Sequence, residues 1–131
     1  EFMFDEKAEV NSNCVNAKIK AHILSDKEMR EIGFTDYSKT TWFFCRSIKF
    51  PKEGRYRGFD ISFSVSIPKD GSDIRIDVLD EDFCQPYDYQ SMLRKNSTFE
   101  PALIVLDQVE EHMKYLQSKG VLSGHVKGEY I

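Results

Sequence analysis

The chain has 131 residues, a formal net charge of -4 and 40% hydrophobic residues, with ten Phe, six Tyr and one Trp among them. That length fits a single domain able to bury about two-thirds of its unfolded surface, and the composition is too apolar for a disordered chain. An acidic balance, with a pI near 5.4, argues against a general binder of polyanions or anionic membranes, both of which need a positive field.

Glu1 and Phe2 precede Met3 and read as a cloning junction, which leaves residues 3–131 as the domain. After Met3 there is no basic-then-apolar leader, and no apolar run approaches the roughly 18 residues of a membrane span. The expected compartment is the cytoplasm. Residues 3–17 lack clear periodicity. From Lys18, Ile19, Ala21 and Ile23 alternate with Lys18, Lys20 and His22, the pattern of a short strand. Ser25 and Glu28 have the spacing of a capping box, which predicts a helix over residues 26–32 ended by Gly33.

The middle of the chain carries the strongest pattern. Residues 41–50 (TWFFCRSIKF) are aromatic and β-branched, with Trp42, Phe44, Ile48 and Phe50 on one face of a strand. Phe59, Ile61, Phe63, Val65 and Ile67 then alternate with Asp60, Ser62, Ser64 and Ser66. Pro68-Lys69-Asp70-Gly71 supplies a turn, and Ile74, Ile76 and Val78 alternate with Asp73, Arg75 and Asp77. Asp80-Glu81-Asp82 ends the sheet, and Pro86 opens a short helical stretch to about Arg94. A longer amphipathic helix starts at Ser97 or Thr98, carries Phe99, Leu103, Leu106, Val109 or Glu110, Met113 and Leu116 on one side, and closes at Gly120. A short edge strand is expected around Val126.

The predicted fold class is therefore α+β: an antiparallel meander of three to four strands with helices packed on one face, in the order (β)-α-β-β-β-α. In that arrangement Ile61, Phe63, Val65, Ile74, Ile76 and Val78 share a buried sheet face under Leu103, Leu106, Met113 and Leu116. The order helix, three antiparallel strands, helix over residues 25–119 resembles the double-stranded-RNA-binding domain in topology, which implies RNA contacts. That family uses basic residues at the start of its final helix, where this chain carries Glu100, Asp107, Glu110 and Glu111.

Chemistry-bearing residues are sparse. His22, His112 and His125 fall on separate elements, and neither a zinc motif nor an oxygen-rich calcium loop is present. The dense carboxylates Asp77, Asp80, Glu81 and Asp82 read as a solvated strand end. Cys14, Cys45 and Cys84, odd in number and widely spaced, read as reduced and mostly buried thiols. Nucleophile motifs and phosphate loops are missing, Gly54 and Gly58 included, so no catalytic residue, cofactor or metal is assigned.

The charge distribution is uneven. Arg46, Lys49, Lys52, Arg55 and Arg57, with Tyr56 among them, form a basic stretch, whereas residues 70–90 are strongly acidic. Arg46, Lys49, Lys52, Arg55, Tyr56 and Arg57 are the candidate interaction surface. The leading expectation is a non-enzymatic interaction module with a protein partner or a second copy as homodimer. The alternatives are a nucleic-acid-associated protein using residues 46–57, and a cofactor-free enzyme whose site is assembled from distant residues.

Overall fold

The computed structural model describes residues 2–3, 10–12, 19–51, 60–82 and 84–126. In chain order the elements are β1 (Phe2–Met3), β2 (Val10–Ser12), β3 (Lys20–Ile23), α1 (Asp26–Ile32), β4 (Thr41–Ser47), β5 (Ile61–Pro68), β6 (Ile74–Asp80), β7 (Gln85–Pro86), α2 (Tyr89–Lys95), α3 (Glu100–Ser118) and β8 (Leu122–Ser123).

The meander is β4-β5-β6. Trp42 faces Ile67, Phe44 faces Val65 and Arg46 faces Phe63, while Phe63 also faces Val78 and Val65 faces Ile76. Because side chains alternate across a strand, this register puts one apolar row beside the next on the inner face. Phe63, Val65, Ile67, Ile76 and Val78 are fully buried there. Gly71 makes the β5–β6 turn at φ +81, and its N–H donates to the Pro68 carbonyl. β2 adds a parallel strand along β6, and β7 pairs with Leu79 and Asp80 further along it. A second, small sheet has the order β1-β3-β8.

Helices cover the inner face. α1 begins at the expected Ser25 cap, whose hydroxyl accepts from the Glu28 N–H; the Glu28 carboxylate accepts from that hydroxyl rather than from the Ser25 N–H, so the serine half of the capping box is what forms. Met29 and Ile32 go into the core. α3 lies over the meander, with its His112 ring stacked on Phe63 at 5.5 Å and its Tyr115 ring on Phe44 at 6.4 Å. The Tyr115 hydroxyl donates to the Ile32 carbonyl at 2.7 Å, tying α3 to the end of α1. The α+β meander with helices on one face is thus as the pattern predicts.

Four local expectations are corrected. The helix stripe over the sheet is Ala102, Val105, Val109, Met113 and Leu116, while Leu103 and Leu106 are half-buried at its flank. The inner sheet face already carries Phe44, Phe63 and several isoleucines, so the small residues of α3 fit against it at close-packed density. α3 also starts later than Ser97 or Thr98. The Asn96 side-chain oxygen takes both the N–H and the hydroxyl of Thr98, Phe99 becomes an N-cap without a side-chain bond, and Pro101 occupies the first turn, where its missing N–H costs nothing. The last strand is Leu122–Ser123, paired with β3 through the buried Leu122, and Val126 is exposed. Finally, Val10–Ser12 forms a strand where no periodicity signals one.

Candidate interaction surface

With the helices on one side, β4, β5 and β6 present three outer-face rows. The register gives Phe43–Ser66–Arg75, Cys45–Ser64–Asp77 and Ser47–Ser62–Leu79. Phe43 is 43% exposed, and Cys45, Ser47 and Arg75 are exposed. Ser62 is the buried member, and its hydroxyl donates to the Glu81 carboxylate. The middle row of serines is low, so a second surface can approach the sheet closely.

The free edge of β4, by contrast, is blunted. Thr35 and Phe43 exchange backbone hydrogen bonds at 2.8 Å each, and Arg46 Nη1 donates to the Cys45 carbonyl at 2.8 Å. Just beyond the strand, Gln108 of α3 acts as a surrogate strand residue. Its amide donates to the Lys49 carbonyl at 2.6 Å and accepts from the Lys49 N–H at 2.7 Å. Occupied edge groups discourage strand addition, which among the described residues leaves the face as the more open side of the sheet.

Of the candidate basic residues, Arg46 lies on the helix-side rim. Its guanidinium covers the Phe44 ring at 4.1 Å and sits against Gly33. Lys49 is exposed and held by its backbone to Gln108. Lys52, Arg55, Tyr56 and Arg57 lie outside the described residues, as do Gly54, Gly58 and Cys14. The first turn of α3 carries Glu100 as its charged residue, so the basic helix start of RNA-binding domains is not in place.

The cysteines differ from expectation: Cys45 and Cys84 are free and exposed. Cys45 alternates outward on β4 because Phe44 and Arg46 turn inward. Burial of the sulfur still holds its thiol above the ordinary range, with the Glu81 charge adding to it and a hydrogen bond with Ser62 opposing. Cys45 is two strand spacings, about 10 Å, from β6, and Cys84 lies beyond the end of β6, so the pair exceeds the roughly 7 Å reach of a disulfide.

The acidic cluster is put to local use. Asp77 pairs with Arg75 at 3.4 Å, Asp80 accepts from the Asp82 N–H at 3.1 Å, and Glu81 holds Ser62. Among the described residues no three His, Cys, Asp or Glu groups converge to hold an ion. The histidines stay apart. His22 Nε2 is 3.4 Å from Ser123 Oγ, and its other nitrogen is buried without a partner among the described residues. His125 Nε2 meets Glu110 at 2.7 Å, and its backbone N–H donates to Gln117. Asp107, Glu110, Glu111, Lys114, Gln117 and His125 line a groove of about 460 Å³ on the outside of α3.

No family model and no curated protein matches the chain. Among solved structures it is similar to a DUF1831-family protein from Lactobacillus plantarum, with a TM-score of 0.57 at 10% identity, covering 94% of this chain and 98% of that one. At that identity the likeness shows the fold alone. Among the described residues no helix is long and apolar enough to cross a membrane.

Proposed function

We propose that the chain is a non-enzymatic protein-interaction module that engages its partner through the outer face of β4, β5 and β6. The observation that carries this reading is that the described helices lie on one side of the sheet, with Phe43, an aromatic of the kind enriched at interfaces, 43% exposed on the other beside a low row of serines. Exposed Cys45 and Cys84 thiols fit a reducing compartment, which supports a cytoplasmic site of action.

Affinity capture from an extract of the source organism tests the reading. Wild-type protein retains a defined partner, Phe43→Lys loses it, and Glu110→Lys in the α3 groove keeps it. A partner held equally by Phe43→Lys would overturn the proposal.

A further inference from the structure

We infer that α3 holds the exit of β4 by a clasp that acid loosens, with Gln108 as the catch and His112, one helical turn further along, as the group that takes the proton. The inference is independent of the outer face of the sheet.

The catch consists of two short bonds. The Gln108 side-chain amide donates to the Lys49 carbonyl at 2.6 Å and accepts from the Lys49 N–H at 2.7 Å, so both backbone groups of Lys49 are filled by one side chain. β4 ends at Ser47, and the Ile48 N–H donates to the Ile61 carbonyl at 2.8 Å, which makes Lys49 the residue at which the chain leaves the sheet. Residues four apart stand on the same side of a helix, so a movement of α3 that unseats His112 also pulls on Gln108.

His112 is seated for the neutral ring alone. It stacks on Phe63 of β5 with the centroids 5.5 Å apart, and its Nε2 is buried without a hydrogen-bond partner among the described residues. A neutral imidazole needs one N–H, which Nδ1 can carry while Nε2 stays bare. The imidazolium needs both, and its Nε2–H becomes a buried donor, on a charged ring, with no acceptor.

The surrounding charges add to this. Arg46 of β4 and Lys49 just beyond it oppose a cation at His112, Glu111 of α3 favours one, and β5 presents the uncharged Phe63 ring. Tyr115, the next titratable group along this side of α3, has its hydroxyl on the Ile32 carbonyl. Opening the clasp hydrates His112 and restores the ordinary proton affinity of a histidine. The closed form therefore holds its full advantage above about pH 6.5, loses it as the pH falls through that value, and stops losing it once the closed ring titrates as well. In acid Lys49 gives up both bonds, and the edge that Gln108 covered becomes available for pairing.

Amide hydrogen exchange of the full chain, read by NMR and corrected for the intrinsic pH dependence of exchange, tests the clasp. From about pH 7.5 to about pH 5 the protection of the Lys49 amide falls about tenfold, while staying below that of the Val65 amide in the central strand throughout. The fall levels off beneath the midpoint at which the His112 ring titrates in the same samples. In His112→Phe, which keeps the stack, Lys49 protection is the same at both ends of the range, and in Gln108→Ala it is low at both. Protection that does not change with pH in wild type, or that falls by the same factor in His112→Phe, overturns the clasp. So does protection equal to that of Val65 at every pH, because Lys49 then opens only with the whole fold. If His112→Phe does not fold, wild type still decides, since a fall that levels off away from the His112 midpoint overturns the inference too.

Discussion

His112 shows how packing sets the protonation of a single side chain. Its ring is stacked on Phe63 and its Nε2 is buried without a partner among the described residues. Desolvation, and then the charges of Arg46 and Lys49, hold its pKa below the ordinary histidine value, with Glu111 opposing. Native His112 therefore resists a proton that the unfolded chain accepts. Stability is unaffected above the unfolded pKa, falls as pH drops through it, and levels off once the folded group also titrates. Urea midpoints should decline between about pH 7 and about pH 5, and His112→Phe, which keeps the stack, should flatten that slope. An unchanged slope would place the titration elsewhere. Asp36 is the opposite case: a hydrogen bond from Lys69, and the charges of Arg30 and Lys69, lower its pKa against desolvation. What it contributes is present above the ordinary carboxylate range and is lost as pH falls through the folded value. Gly33 is constrained in another way, with φ +124 and the Arg46 guanidinium where a Cβ would stand. Gly33→Ala should cost about 1 to 3 kcal/mol in chemical denaturation, since both the backbone and the arginine must shift.

At the level of elements, strand alternation was readable in the sequence because a half-buried strand needs one apolar residue in two. The inner rows of β5 and β6 follow it, so Ile61, Phe63, Val65, Ile74, Ile76 and Val78 are all buried, while Ser62 and Leu79 depart from it on the outer face. Phe63 is in the centre of that face, and Phe63→Ala should lose roughly 3 to 5 kcal/mol, whereas a loss under about 1 kcal/mol would remove it from the core. The phase of α3 was harder to read, because its apolar residues span more than one face and the choice among Leu103, Leu106 and Val105 depends on the volume left by the sheet. Cys45 is misplaced for a different reason: Trp42, Phe44 and Ile48 already set the inward face of β4, and the burial usual for a free cysteine was given more weight than that alternation. The Gln108–Lys49 clamp carries no sequence signal at all, since it joins residues 59 apart. Gln108→Ala should destabilise by about 1 kcal/mol and speed hydrogen exchange at the Lys49 amide, with β4 otherwise intact.

For the whole molecule, the electrical asymmetry was legible but its meaning was not, because charge along a chain does not say which side chains reach solvent. Arg46 belongs to the basic stretch in sequence, yet in the fold it covers Phe44 and caps a carbonyl. A net negative molecule with that arginine engaged should show no measurable nucleic-acid binding at about 150 mM salt. Micromolar binding with a log–log salt slope of roughly -3 to -4.5, lost on reversing Arg55 and Arg57, would instead favour the nucleic-acid reading. The open sheet face was the feature the sequence half disclosed, through the serines that alternate with core residues on β5. Its role is tested most directly by a backbone amide chemical-shift map recorded as the partner retained in affinity capture is titrated into the labelled protein. Shifts confined to the rows of Phe43, Cys45, Ser47, Ser64, Ser66 and Arg75 are the predicted result. Shifts around Asp107, Glu110 and His125 with the sheet rows unmoved would contradict it.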